Sequence, residues 1–332
     1  MRSSIENKED DIADITLRPR FFHEFFGQVS LIENLKVFIG ATKKRNEALD
    51  HVLVYGPAGL GKTSIAYVIA NELGHKITCI SGPTIEKIGD MASILSSLEP
   101  GQVLFIDEIH RIPKDVEEFL YGAMEDFRIN ILISHDKDSE NLSIDLPPFT
   151  VVGATTKISC LSWPLRQRFG IHLKFDFYKV EELKQIITRS ARVLGDKIDS
   201  QAAHEIAIRS RGTPRIANRI LRRVRDFFIY ADKKTITAPL TIDALKRIGI
   251  DEFGLDELDV NYLYHLINRF NGGPVGLDTL ATTFGEDPGT LEECCEPYLI
   301  SLGFINRTPR GREITAAGKV YFERYHATMV AD

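Results

Sequence analysis

The apolar positions of this chain fall into two regimes. Up to about residue 178, short unbroken apolar runs alternate with segments of helical spacing. After Lys179 only helical spacing remains, until a last hairpin signal. The runs His51–Tyr55, Val103–Ile106 and Thr150–Thr156 read as buried strands of a parallel sheet, and Ile77–Ile80 reads as a further strand. Between them lie helical patterns: Val29–Arg45, with Leu31, Leu35, Phe38 and Ile39 on one face; a stretch from Ser64 to about Gly74; Ile85–Leu98; and Lys114–Glu125. Ile129–Ile133 and Leu142–Leu146 flank a polar turn, Ser134–Asn141, which predicts a β-hairpin inserted into the α/β alternation and projecting as a contact element.

Beyond Lys179, helical patterns cover Val180–Leu194, Gln201–Arg211, Pro214–Tyr230 and Ile242–Ile248, a small all-helical domain. An acidic linker, Glu252–Asp259, leads to helices at about Glu257–Phe270, Leu277–Phe284 and Gly289–Ser301. Phe304–Arg307 and Glu313–Thr315 then flank Thr308-Pro309-Arg310-Gly311-Arg312. Three helices closed by a basic hairpin predict a winged helix-turn-helix. The expected architecture is an α/β domain with a parallel sheet over residues 1–178, a helical domain over 179–251 and a winged-helix head over 252–332, with a disordered acidic tail at residues 1–16.

The first strand runs into Gly56-Pro57-Ala58-Gly59-Leu60-Gly61-Lys62-Thr63, a G-x-x-x-x-G-K-[ST] loop between a strand and a helix. Glycines let backbone N–H groups converge on an anion, and the following helix adds its positive end. Lys62 is placed to reach β- and γ-phosphates, and the Thr63 hydroxyl to hold Mg²⁺. The strand at Val103 ends in Asp107-Glu108, on the sheet edge where α/β ligands sit. Asp107 is placed to bind the metal and Glu108 to polarise an attacking water. Thr156, at the end of another strand, is in place to bond the γ-phosphate or that water. Arg166 and Arg168, on a short Pro-led helix, read either as surface charges or as an arginine finger supplied across a subunit interface. Arg215 opens the helix at Pro214, where a cation opposes the helix dipole. An anion must reward it, and nucleotide phosphate is the candidate.

Net charge is −6, apolar content 43 % and charged content 27 %, the profile of a soluble globular protein. No apolar run approaches the roughly 18 residues of a membrane span, and the N-terminus carries no apolar signal segment. Cys79, Cys160, Cys294 and Cys295 lack metal spacing and read as reduced cytosolic thiols. Charge is uneven: seven arginines and no acid lie between Arg209 and Arg225, and three arginines between Arg307 and Arg312. Arg307, Arg310 and Arg312 are therefore placed to neutralise DNA phosphates or to reach a minor groove. Glu292, Glu293 and Glu296 on the preceding helix would repel DNA, which argues against base readout there.

These residues carry a resemblance. Gly56 to Thr63, Leu104-Phe105-Ile106-Asp107-Glu108-Ile109-His110-Arg111 and Gly153-Ala154-Thr155-Thr156 resemble the Walker A, Walker B and sensor-1 motifs of AAA+ ATPases. Pro164-Leu165-Arg166-Gln167-Arg168-Phe169-Gly170, Arg211-Gly212-Thr213-Pro214-Arg215, Asn271-Gly272-Gly273-Pro274 and Arg307 to Arg312 narrow it to the RuvB family of bacterial Holliday-junction branch-migration motors, over about Leu17 to Thr315.

The resemblance implies ATP and Mg²⁺ as cofactors. It implies nucleotide contacts at Leu17, Arg18 and Tyr178 on the adenine side, and at Gly59, Gly61, Lys62, Thr63 and Ser64 around phosphate and metal. Glu125, Asp126 and Phe127 match a further nucleotide-contacting stretch. Arg168 matches a finger acting on a neighbour's site, and Arg215 matches sensor 2. It further implies a cytoplasmic homohexamer around duplex DNA, docked to RuvA through the hairpin Ile129–Leu146 and working with RuvC in recombination and DNA repair. The chain departs from the family pattern at Ala58, at Trp163 and in the acidic hairpin tip. Rival readings are a clamp-loader-type AAA+ ATPase, which shares the ATP-site motifs, and a nucleotide-gated DNA-binding regulator.

Overall fold

A computed structural model describes residues 16–135 and 138–329. The expected acidic tail, apart from Thr16, and residues 136 and 137 of the expected turn Ser134–Asn141 lie outside these residues. The chain divides into two compact units. One is built from residues through Lys197 together with Gly212–Leu221, the other from Ile198–Arg211 and from Arg222 onward.

In the first unit, β1 (Val52–Tyr55), β2 (Ile77–Ser81), β3 (Val103–Asp107), β6 (Thr150–Thr155) and β7 (Ile171–Lys174) form a parallel sheet in the order β2-β3-β6-β1-β7. β4 (Arg128–His135) and β5 (Asp138–Asp145) pair antiparallel as a separate hairpin. The central strands are buried along their length, as their unbroken apolar runs require. The edge strand β7 alternates buried and exposed positions, and no strand was expected there. Its two inward residues, Ile171 and Leu173, are too short a signal to register as a run. β6 lies between β1 and β3, with Tyr55 opposite Thr155 and Ile106 opposite Gly153. This order places the end of β6 between the glycine loop and the acids of β3.

The helix Val29–Arg45 buries Ile32, Leu35, Ile39 and Thr42, whereas Phe38 is 41 % exposed. The apolar face expected from Leu31, Leu35, Phe38 and Ile39 is therefore rotated by about one position. The helix Lys62–Leu73 ends at Gly74, whose φ of +81° lets its N–H return to Ala70 O.

In the second unit, helices Ser200–Ile208 and Ala238–Arg247 pack together. The winged head closes around Leu255, Tyr262, Leu263, Leu280, Leu291, Leu299 and Ile305. Its wing is β8 (Ile305–Thr308) paired antiparallel with β9 (Gly311–Ile314), Arg307 standing opposite Arg312. Val275 adds a third rung: its N–H and carbonyl both bond Arg312. Gly273 just before it has φ +88°, and any Cβ there would meet the Arg312 carbonyl, so the Gly272-Gly273 pair is what lets this segment approach the wing. The expected helix Gly289–Ser301 is interrupted by a wide turn at Leu291–Cys295. A closing helix, Ala316–Met329, was not anticipated.

Candidate functional site

A cavity of about 310 Å³ opens at the C-terminal edge of the parallel sheet. Its lining includes Leu17, Arg18, Gly59, Gly61, Lys62, Thr63, Ser64, Asp107, Glu108, Thr156, Tyr178 and Arg215. Twelve residues separated by up to about 200 positions in sequence thus share one space within the first unit.

The glycine loop explains its own composition. Gly56, Gly59 and Gly61 have φ of +143°, +76° and +99°. A Cβ on Gly59 would stand 2.7 Å from Thr213 Cγ2 and 3.1 Å from Arg215 Cβ. Arg215 N–H donates to Gly59 O at 3.3 Å, so the Thr213–Arg215 turn is fastened directly onto the loop. Gly61 precedes the helix at Lys62, leaving the first N–H groups of that helix to face the cavity.

Lys62 is only 8 % exposed. Its ammonium donates to Gly56 O at 2.9 Å and Pro57 O at 2.7 Å. Burial pulls its pKa down to about 8; Asp107 pushes it up and Arg215 pulls it further down. A cation held this way gains most from an anion placed beside it. Thr63 Oγ1 donates to Asp107 Oδ2 at 3.3 Å, so a hydroxyl from the start of the Lys62–Leu73 helix and a carboxylate from the end of β3 converge. That pair of hard oxygen donors suits a divalent cation such as Mg²⁺. Glu108, in the left-handed region with φ +49°, turns away from the strand axis, and Arg111 Nη1 bonds its Oε2 at 3.2 Å. Thr155 Oγ1 lies 3.0 Å from His110 Nδ1, tying the end of β6 to the turn after β3.

On the opposite wall Tyr178 is buried and its hydroxyl donates to Leu60 O at 3.0 Å. The Leu17–Glu24 segment is held by a residue that sequence reasoning missed. Arg189 donates to Leu17 O at 2.8 Å and pairs with Glu24 Oε2 at 3.0 Å. It sits 172 residues from Leu17 in a helix whose pattern marked only a core face, so spacing could not single it out.

Four expected nucleotide residues do not line this cavity: Glu125, Asp126, Phe127 and Arg168. Phe127 packs its ring against His51 and Phe149, as core. Arg168 Nη2 pairs with Glu125 Oε2 instead. Its short helix, Trp163–Arg168, is capped by Ser162, whose backbone N–H is held by the buried Glu117.

In the winged head the acids and arginines meet. Glu296 is fully buried; it is not the exposed repulsive acid expected from sequence. It accepts from Arg307 Nε at 2.8 Å, Arg312 Nε at 2.8 Å and the Tyr262 hydroxyl at 3.1 Å. Half-exposed Glu292 also pairs with Arg307, at 3.0 Å. Arg310 is exposed at the wing tip.

Comparisons with known proteins agree over nearly the full length. The model of the Holliday junction DNA helicase RuvB P-loop domain matches residues 17–175, that of the RuvB AAA lid domain residues 178–251, and that of the RuvB C-terminal winged helix domain residues 252–323. The Holliday junction branch migration complex subunit RuvB of Acholeplasma laidlawii (strain PG-8A) is 54 % identical over 308 residues, 93 % of this chain and 91 % of that protein. The Thermotoga maritima RuvB Holliday junction branch migration motor superposes with a TM-score of 0.83 at 48 % identity, covering 93 % of this chain and 98 % of its own. A single-substitution variant of that T. maritima protein gives the same score and identity over 92 % and 98 %. This chain belongs to the RuvB family.

Proposed function

We propose that this chain hydrolyses ATP to ADP and phosphate and uses the energy to drive branch migration of Holliday junctions. The observation that carries the chemistry is the convergence of Lys62, Thr63, Asp107, Glu108, Thr156 and Arg215 on one cavity. Family membership over the winged head carries the DNA side. It also sets aside the clamp-loader reading, since the match runs through the head and does not stop at the ATPase motifs.

In this reading the loop N–H groups and Lys62 hold the β- and γ-phosphates. Thr63 and Asp107 would hold Mg²⁺, which neutralises phosphate charge and fixes its oxygens. Glu108 accepts a proton from the attacking water, Thr156 orients it and Arg215 senses the γ-phosphate. Leu17, Arg18 and Tyr178 face the base. Ser64 and the backbone of Gly59 and Gly61 complete the phosphate shell. Arg168, with its partner Glu125 and the neighbouring Asp126, serves the cavity of an adjacent subunit in a hexameric ring, a reading supported by their absence from the lining of their own, while Phe127 packs on His51 and Phe149. Arg307, Arg310 and Arg312 engage DNA phosphates, which needs no base sequence. The hairpin Ile129–Leu146 docks RuvA, and RuvC joins in resolution of the junction in the cytoplasm. The proposed domain limits fall at residues 178/179 and 251/252.

The deciding experiment is branch migration of a four-way junction with and without RuvA. ATP-dependent migration enhanced by RuvA supports the reading. ATP hydrolysis with no junction movement under either condition would remove it.

A further inference from the structure

The wing holds its arginines in an ion-pair network that does not look like an open DNA patch. Two guanidiniums, from Arg307 and Arg312, share the fully buried Glu296 carboxylate, which takes donors on both oxygens and a third from Tyr262. Arg312 is mostly covered, its side chain 16 % exposed, and hydrogen bonding to Glu296 holds its pKa above the ordinary arginine value. Arg307 is different: its side chain is 43 % exposed and it reaches a second acid, Glu292, whose side chain is 47 % exposed. Arg307, Arg312, Glu292 and Glu296 together sum to zero formal charge. Only Arg310 then adds positive charge at the wing itself.

The two acids face different costs. Glu296 cannot leave without stripping the mostly covered Arg312 of its close carboxylate partner, so it is a fixed part of the head. Glu292 is half in water, and an exposed ion pair of this kind is worth little. A phosphodiester oxygen offers Arg307 the same acceptor chemistry that Glu292 does.

We infer that Glu292 is an internal phosphate mimic that duplex DNA displaces from Arg307, while Glu296 positions Arg307 and Arg312 throughout. This rests on the proposal that the wing contacts DNA. The consequence is an affinity held down on purpose: a backbone-tracking motor has to release each phosphate it grips, and an acid competing for the same guanidinium shortens the grip. It also explains how a head with three acids in this stretch binds a polyanion. One is buried, and one is spent on the arginine that DNA will use.

The test measures binding of the full chain to a labelled duplex of arbitrary sequence, by anisotropy across a salt series, with a non-hydrolysable ATP analogue present. Glu292→Gln removes the competitor. It should tighten binding roughly 3- to 10-fold at low salt and steepen the slope of log K against log salt by about one unit or less, since one more guanidinium meets phosphate unopposed. Glu293→Gln makes the same change in net charge next door and should do less. The double variant Glu292→Gln/Arg307→Ala should bind like Arg307→Ala alone, because Glu292 acts through Arg307. Unchanged affinity and slope in Glu292→Gln, or an equal gain in Glu293→Gln, overturns the displacement. If Arg307→Ala itself binds as the native chain does, the wing reading fails with it. If Arg307→Ala weakens binding while Glu292→Gln does not strengthen it, the displacement alone is lost.

Discussion

Arg168 Nη2 stands 2.5 Å from Glu125 Oε2, and neither residue lines the nucleotide cavity of its own chain. The pair ties the Trp163–Arg168 helix to the end of the Lys114–Asp126 helix. Among the described residues, the buried Arg168 Nε has no acceptor. Such a group is ready to exchange a carboxylate for a phosphate.

Arg168→Ala is therefore expected to keep nucleotide binding and lose at least about a thousandfold in ATP turnover, the scale of a missing arginine finger. Mixing Arg168→Ala with Lys62→Ala subunits should restore activity, since mixed neighbours pair an intact loop with an intact finger. Steady-state ATPase of the mixture checks this; no recovery at any ratio sinks the role in trans.

Lys62 is expected to make nucleotide binding depend on pH. Burial sets its pKa at about 8, below the ordinary 10.5. Binding of a triphosphate favours the charged ammonium, so affinity should fall as pH rises through about 8. The stability contribution has the opposite sign. Between about 8 and 10.5 the unfolded chain still holds a proton the native state has shed, so this group adds stability as pH rises. Fluorescent-nucleotide titrations at a series of pH values check the first effect, and Lys62→Arg, always charged, should flatten the profile. A wild-type affinity that stays level to about pH 9 contradicts the assignment.

Glu108→Gln should separate binding from chemistry. Glu108 lines the cavity beside Asp107, and its carboxylate makes an exposed pair with Arg111. Loss of the general base should cost about 10²- to 10⁴-fold in hydrolysis while nucleotide affinity stays near native. Single-turnover rates alongside equilibrium binding decide it, and a variant that hydrolyses normally removes Glu108 from the mechanism.

Arg189 should show the reverse split. It lines the cavity and holds the Leu17–Glu24 wall through Leu17 O, Arg18 O and the Glu24 carboxylate. Arg189→Ala is expected to raise KM for ATP roughly 5- to 50-fold with kcat within about threefold, the pattern of lost uniform binding. A fall in kcat with KM unchanged would assign it elsewhere.

Much of this protein was readable before folding. The glycine loop, the acids at the end of β3 and Thr156 just after β6 are each legible because strand ends and turn residues are local. Their chemistry is written within about ten residues. The buried parallel strands were legible for the same reason, being continuous apolar runs. Edge strand β7 was not, because half its residues face solvent and four positions carry too little pattern.

What the sequence determined by itself is the family, the nucleotide loop and the basic wing. What only the tertiary structure decided is which charges meet. Arg189 closes on Leu17 across 172 residues, Arg168 takes Glu125, and Glu296 withdraws from the surface to hold Arg307 and Arg312. Side-chain charge is a property of one residue and can be counted along a chain. Its strength and its partner depend on burial and distance, which no local pattern encodes.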